Sequence, residues 1–322
     1  MTPPAKPDDE LITVRDWLRY AVSRFTAAGL VYGHGTANAL DEAAFLILWR
    51  LRLPVDRLDP WLDARLLADE RAAVREIIEA RISTRKPAAY LTNEAWVQGH
   101  SFYVDERVIV PRSYIGELLA DGLAGVVGDQ GAVTRLLDLC TGSGCLAILA
   151  ALAFEGAKVD AGDISSDALE VAKRNVADYG LEDRVSLVEG DLFAPLEGRR
   201  YDLILANPPY VSGPALAAFP PEYAAEPRLA HAGGADGLDL VRRILAEAGA
   251  YLAPGGSLVV EIGTGRALLE REFASLPFLW LDTAESEGEV FALAASARQG
   301  GHHGRREGDL LHRRRPRLRP RA

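Results

Sequence analysis

Residues 134–144 read Thr134-Arg135-Leu136-Leu137-Asp138-Leu139-Cys140-Thr141-Gly142-Ser143-Gly144. An apolar run ends in an acid, and two glycines one residue apart follow it. This is the pattern of a buried strand entering a tight turn. Glycines at 142 and 144 let the backbone turn sharply and let a ligand approach where a Cβ would collide. Downstream, apolar segments alternate between strand and helix periods. Strands are expected at 134–139, 158–163, 184–189, 201–206 and 256–262, with a final pair near 278–284 and 289–295. Helices fill most gaps. The expectation is an α/β fold, a Rossmann-like doubly wound sheet with ligands at the carboxyl ends of its strands.

Upstream of this unit the pattern is helical. Leu11, Val14, Trp17, Leu18, Ala21 and Phe25 recur at helical spacing until Gly29, and further apolar-faced segments run over about 39–53 and 66–82. Between Trp96 and Val110 the period changes to two, with Asp105-Glu106 splitting Phe102 and Val104 from Val108 and Val110. A short hairpin turning at those acids is expected there, then a helix opening at 113–117. The chain divides into a small helical domain (1–92), a hairpin and connecting helix (93–130), the α/β domain (131–296) and a basic tail (297–322) expected to be disordered.

The length, 322 residues, suits two domains. No uninterrupted apolar run of about 18 residues occurs, so no membrane span is expected. The opening residues do not read as a signal peptide, and a cytoplasmic location is expected. Net charge is −10, unevenly spread. From Ser296 onward nine arginines face only Glu307 and Asp309, a tail near +7 that leaves the body near −17. An acidic body is a poor partner for a phosphate backbone. The two cysteines, Cys140 and Cys145, flank the glycine turn. No further Cys or well-spaced His completes a metal site, so they read as small buried thiols rather than a disulfide or a metal half-site.

The glycine loop by itself leaves the ligand open. Gly142-x-Gly144-x-x-Ala147, with Asp163 about 20 residues further on, also satisfies the dinucleotide fingerprint, and a nicotinamide enzyme must be considered. Acids at three successive strand ends favour S-adenosyl-L-methionine. Asp138 suits a ligand carrying an ammonium group and a sulfonium and would repel a pyrophosphate. Asp163 can accept from both ribose hydroxyls, although a helix cap ahead of Ser165-Ser166 is the plainer alternative. Asp191 can meet the adenine amino group, and Leu192 or Phe193 can cover the ring. The candidate cofactor set is Asp138, Cys140, Thr141, Gly142, Ser143, Gly144, Asp163, Asp191, Leu192 and Asn207.

The fourth strand of the unit delivers Asn207-Pro208-Pro209-Tyr210 into the same cleft. An amide nitrogen is a poor nucleophile because its lone pair is delocalised. The Asn207 side-chain oxygen and the Pro208 carbonyl can accept hydrogen bonds from such an NH2 group. They would aim its lone pair and support the positive charge that develops on methylation. Two prolines stiffen the turn, and Tyr210 can lie on the flat face of the acceptor. These four residues are the candidate catalytic set.

Asp138…Gly142-x-Gly144, Asp163 and Asn207-Pro208-Pro209-Tyr210 together resemble the class I methyltransferases that modify glutamine side chains at N5. The tetrapeptide is shared with adenine N6 methyltransferases, so the flanks carry the distinction. Ala89-Tyr90-Leu91-Thr92-Asn93-Glu94-Ala95-Trp96, then Gly99-His100-x-Phe102-Tyr103-Val104-Asp105-Glu106-Arg107-Val108 and Val110-Pro111-Arg112-Ser113, are similar to the PrmB branch. So are Tyr32-Gly33-His34-Gly35-Thr36 and Glu226-Pro227…Gly234-x-Asp236-Gly237-Leu238. The resemblance runs from about Val14 to Leu293. It implies S-adenosyl-L-methionine as methyl donor and, as acceptor, a glutamine of protein three of the large ribosomal subunit. It also implies substrate recognition by the helical domain and catalysis by the α/β domain. The tail after about Ala295 departs from the family, and Leu192 stands where the sister branch, which modifies release factors, often carries a Trp. A release-factor substrate, an adenine substrate, a nicotinamide enzyme and a noncatalytic binding module remain the alternatives.

Overall fold

The computed structural model describes residues 10–295; the basic tail assigned to 297–322 lies outside the described residues. Among the described residues, three longer helices build the N-terminal unit: α1 (Val14–Ala27), α2 (Ala39–Arg50) and α3 (Ala68–Thr84). Thr13 and Asp16 form a reciprocal capping box on α1, and Asn38 accepts from Leu40 N and Asp41 N to start α2. Their apolar faces meet around Trp17, Phe25, Leu46, Ile47 and Ile78, all essentially buried. A buried ion pair, Arg81 Nε to Glu42 Oε1 at 2.7 Å, crosses this core. Arg81 also donates to Val31 O at 3.1 Å, and Thr36 donates to Glu42 at 3.0 Å. The loop between α1 and α2 is therefore held at two points.

A short helix α4 (Ala88–Thr92) leads to a two-stranded hairpin, β1 (Ala95–Val97) with β2 (His100–Phe102). The hairpin lies earlier than the sequence suggested. Gln98 and Gly99 both take left-handed dihedrals, φ 50° and 76°, the two-residue turn that suits the twist of paired strands. At 105–107 the Asp105 carboxylate instead accepts from the Arg107 backbone N and guanidinium, closing a local turn. Val104, Val108 and Val110 are buried without forming strands. Helix α5 (Tyr114–Ala120), capped by Ser113, begins where a helix was expected.

The α/β unit contains β3 (Arg135–Leu139), α6 (Cys145–Ala153), β4 (Lys158–Asp163), α7 (Ser166–Asp178) and β5 (Val185–Glu189). It continues through β6 (Tyr201–Ala206), α8 (Gly213–Ala217), α9 (Asp239–Glu247), β7 (Leu252–Glu261), α10 (Arg266–Glu272), β8 (Leu279–Leu281) and β9 (Val290–Ala294). The sheet order is β5-β4-β3-β6-β7-β9-β8. The first five strands are parallel, and β9 runs antiparallel to both of its neighbours. Alternation along each strand feeds two cores. Leu136, Val159, Leu203, Leu205 and Val259 face α5, α6 and α7; Leu137, Leu139, Ile204, Leu258 and Val260 face α9 and α10. Strand order reverses between β3 and β6, which opens a crevice at their carboxyl ends.

Candidate functional site

The parallel register sets the strand ends side by side. Leu139 pairs with Gly162 of β4 and with Ala206 of β6, so the segments starting at Cys140, Asp163 and Asn207 leave the sheet together. Asp138 is completely buried. Its Oδ2 accepts from Thr141 Oγ1 at 2.6 Å, while Oδ1 has no hydrogen-bond partner among the described residues. Burial pushes its pKa up to about 7, opposed by the bond from Thr141 and by the Ala147 backbone N–H, which lies nearby outside hydrogen-bond geometry for Oδ1. A buried carboxylate oxygen without a donor is costly, and a cationic ligand group would relieve it.

The loop beyond Asp138 is shaped by backbone. Cys140, Gly142 and Gly144 have positive φ (58°, 56° and 79°). A Cβ on Gly144 would stand 3.1 Å from Ala172 Cβ, whereas one on Gly142 would meet nothing within 4 Å. The first glycine of the pair thus faces open space and the second packs on α7. Ser143 is buried, and its carbonyl accepts from Asn175 Nδ2 at 2.8 Å. Asn175 also exchanges two hydrogen bonds with the Tyr103 backbone, so one buried amide joins the glycine loop to the segment after β2. Burial raises the pKa of both thiols, keeping Cys140 and Cys145 neutral and poorly nucleophilic.

Asp163 spans the crevice floor. Its Oδ2 accepts from Gly142 N at 2.9 Å and its Oδ1 from Ser165 N at 2.9 Å. The cap of α7 is Ser165, whose hydroxyl accepts from Ala168 N, so Asp163 itself is not the capping residue. Burial raises its pKa against the pull of these backbone donors. Asp191 lies further out. Gly190 N bonds Asp163 O at 2.9 Å, and the half-exposed Asp191 carboxylate pairs with Arg243 at 2.9 Å. Leu192 is buried with φ 49°. Phe193 turns into the core and stacks on Tyr251 at 4.6 Å.

Asn207 is half-buried, and its side-chain amide makes no hydrogen bond among the described residues. The Pro208 carbonyl is likewise without a backbone donor among them. Tyr210 is anchored: its hydroxyl donates to Glu261 Oε1 at 2.9 Å. Burial and the nearby Glu261 hold its pKa well above the usual phenol value. Its ring and backbone are hemmed in by glycines. A Cβ on Gly263 would reach 2.8 Å from its ring, and one on Gly237 would reach 2.3 Å from its carbonyl oxygen. Around the same loop Val211 N donates to His231 O and Gly233 N donates to Val211 O, both at 2.9 Å.

Several residues at the site carried no role in the sequence reading. Glu226, with a fully buried side chain, receives Arg112 Nη1 and Nη2 at 2.7 and 3.0 Å and Val110 N at 2.9 Å. His231 and His34 stand 2.9 and 3.4 Å away. Burial works to raise the Glu226 pKa, but the adjacent His231 and His34 imidazoles and the Arg112 guanidinium outweigh it and hold the carboxyl below its usual range. Glu222, from the same loop, accepts from Val31 N and Arg85 at 3.1 and 3.0 Å. Both acids dock the loop following Asn207–Tyr210 onto the helical unit. The available signal was position: His34, Arg112 and Glu226 lie in flanking stretches that carry the family resemblance, and Glu261 closes β7 as Asp138 lies near the end of β3.

Residues 119–219 match the methyltransferase small domain model. Three relatives cover nearly the whole chain. The ribosomal protein uL3 glutamine methyltransferase of Burkholderia pseudomallei is 57% identical over 291 residues, 88% of this chain and 95% of that one. Its counterpart in Bordetella pertussis is 59% identical over 284 residues, with the same two coverages. That of Neisseria gonorrhoeae is 55% identical over 284 residues, 88% of this chain and 95% of that one. The chain belongs to the ribosomal protein uL3 glutamine methyltransferase family. Among solved structures, a methyltransferase from Pyrococcus furiosus aligns with a TM-score of 0.45 and 15% identity over 71% of this chain and 99% of that one. Family membership sets aside the nicotinamide reading of the glycine loop. No group of three or more metal-ligating side chains and no helix long and apolar enough to cross a membrane occurs among the described residues.

Proposed function

We propose that this chain is a cytoplasmic enzyme that transfers a methyl group from S-adenosyl-L-methionine to the side-chain amide nitrogen of a glutamine in ribosomal protein uL3. The observation that carries the reading is the pair of free acceptors, Asn207 amide and Pro208 carbonyl, on a clamped turn beside the unpartnered Asp138 oxygen. The uL3 substrate rests on relatives above 50% identity across both units.

The residues present fit the cofactor. Asp138 Oδ1 is a buried acceptor suited to its ammonium group, the space at Gly142 admits its backbone-proximal portion, and Asp163 offers oxygens for ribose hydroxyls. Asp191, now paired with Arg243, would accept from the adenine amino group, and the buried Leu192 would supply apolar cover for the ring. When bound, S-adenosyl-L-methionine supplies an electrophilic methyl group and its own leaving group.

The protein supplies position and charge. Asn207 Oδ1 and Pro208 O accept from the two amide hydrogens, which orients the nitrogen and stabilises the cation formed as it is alkylated. Prolines at 208 and 209 hold that carbonyl before substrate arrives, reducing the ordering cost of the reactive pose. No strong base is needed, because the alkylated nitrogen is acidic enough to lose a proton to water.

Recognition of the polypeptide around the glutamine falls to the helical unit and hairpin. A groove of about 1010 Å3 opens between them, lined in part by Phe45, Trp49, Leu53, Trp96 and Pro111. Its end at Pro111 adjoins Arg112 and Ser113, which are bonded to Glu226 and Glu261. The test is direct: purified enzyme with labelled S-adenosyl-L-methionine and ribosomal proteins lacking the modification should label uL3. Label on release factors or on RNA instead would overturn the substrate assignment.

A further inference from the structure

We propose that Glu261 is a positioning residue that sets the acceptor turn through Tyr210 and ties that setting to the linker from the substrate-recognition unit. The proposal rests on the reading of Asn207–Tyr210 as the acceptor motif. Glu261 is the last residue of β7, paired with Val290 of β9, and its side chain is buried. Both oxygens are committed. Oε1 accepts from Tyr210 Oη at 2.9 Å; Oε2 accepts from Ser113 Oγ at 2.6 Å and from Tyr114 N at 2.9 Å. One carboxylate thus joins the acceptor motif to the first residues of α5.

The connection continues outward. Ser113 follows Arg112, whose guanidinium grips Glu226 in two bonds, and Glu226 in turn faces His34 on the helical unit. Apart from the peptide link between Arg112 and Ser113, each step is a polar contact between buried or half-buried groups, so few alternative partners compete for them. By contrast, Tyr210 has no second polar partner for its hydroxyl among the described residues. Its ring is blocked on one side by Gly263, where a Cβ would come within 2.8 Å. The Glu261 bond therefore selects one rotation of the ring against that wall, and Tyr210 follows Pro208-Pro209 directly in the chain. A structural strut alone would affect stability; a positioning group affects turnover through the turn it holds.

The experiment is a double-mutant cycle on the full chain with Tyr210→Phe and Glu261→Gln, reading kcat, KM for uL3 and cofactor affinity by calorimetry. We expect each single variant to lose roughly 10- to 100-fold in kcat, the scale of a slightly misplaced reacting group, with cofactor affinity unchanged. The double variant should fall no further than the worse single one, since both remove one interaction. Losses that multiply, or a kcat within about twofold of wild type for either single variant, would overturn the proposal. If Glu261→Gln does not fold, Tyr210→Phe decides alone by the same kcat criterion. Asn207→Ala separates the two levels. Retained turnover there removes the acceptor reading itself, while loss there with normal Tyr210→Phe turnover removes only the positioning role.

Discussion

The backbone N–H of Gly142 donates to the Asp163 carboxylate at 2.9 Å, tying the glycine loop after β3 to the acid that ends β4. Asp163 therefore holds the glycine loop in place, and in the proposed function it also accepts from the ribose hydroxyls. Asp163→Ala should weaken cofactor binding by at least tenfold, because it removes ribose acceptors and frees the loop; each lost charged hydrogen bond is worth roughly 1.5–3 kcal/mol. Calorimetric titration with S-adenosyl-L-methionine measures this. An unchanged affinity would reduce Asp163 to a loop staple.

Asp138 gives a pH dependence with a definite sign. Its carboxyl pKa is raised by burial to about 7, so the cofactor-free protein holds it protonated below that value. A raised pKa contributes stability that is full below the unfolded value, 3.8, and lost as pH rises through about 7. Ammonium binding needs the ionised form, so cofactor affinity should strengthen as pH rises from about 6 to about 8. Asp138→Asn should flatten this dependence and weaken binding throughout. A pH-independent wild-type affinity would contradict the assignment.

Most of the sheet could be read directly from the sequence. Strands packed on both faces give short apolar runs, and five of them alternate with helices between Arg135 and Glu261. The hairpin was misplaced because Val104, Val108 and Val110 alternate like a strand while serving as plugs in an irregular segment. Gln98-Gly99, the true turn, lacks the Asn or Asp that usually marks such a pair. Asp138, Gly142, Asp163 and Asn207 could be proposed from sequence because each stands at or just beyond a strand end, and the register brings those ends together. Glu226 was missed as a hub because its partners, Arg112 and His34, lie 114 and 192 residues away by number, and only folding brings them together. Phe193 was weighed as an adenine cover, yet its place is in the core against Tyr251; an isolated aromatic after an acid does not announce which way it points.

Glu226 should be a stability hub. Glu226→Gln leaves Arg112 half-buried without its counter-charge, and breaking one partner of a buried pair typically costs about 3–5 kcal/mol. Thermal unfolding should show a Tm several degrees lower, with loss of protein methylation at temperatures where the variant remains folded. A Tm equal to wild type would show that the four contacts contribute nothing net.

Trp96 probes the groove. It is 46% exposed, and its indole N–H is already held by Glu94, as is that of Trp49. Trp96→Ala should raise KM for uL3 about 10-fold or more, as truncation of an aromatic anchor commonly does, while cofactor affinity stays unchanged. An unaltered KM would move polypeptide recognition away from this groove.

The central claim is that Asn207 and Pro208 present a glutamine amide for methylation. Mass spectrometry of unmodified uL3 after incubation with S-adenosyl-L-methionine and either wild-type enzyme or Asn207→Ala tests it most directly. The account predicts one methyl group on a single glutamine side chain with the wild type. With the variant, the rate should fall by about 100- to 1000-fold, the usual cost of losing a preorganised hydrogen-bonding group, at nearly unchanged cofactor affinity. A methyl group on any other residue type, or equal rates from the two enzymes, would contradict it.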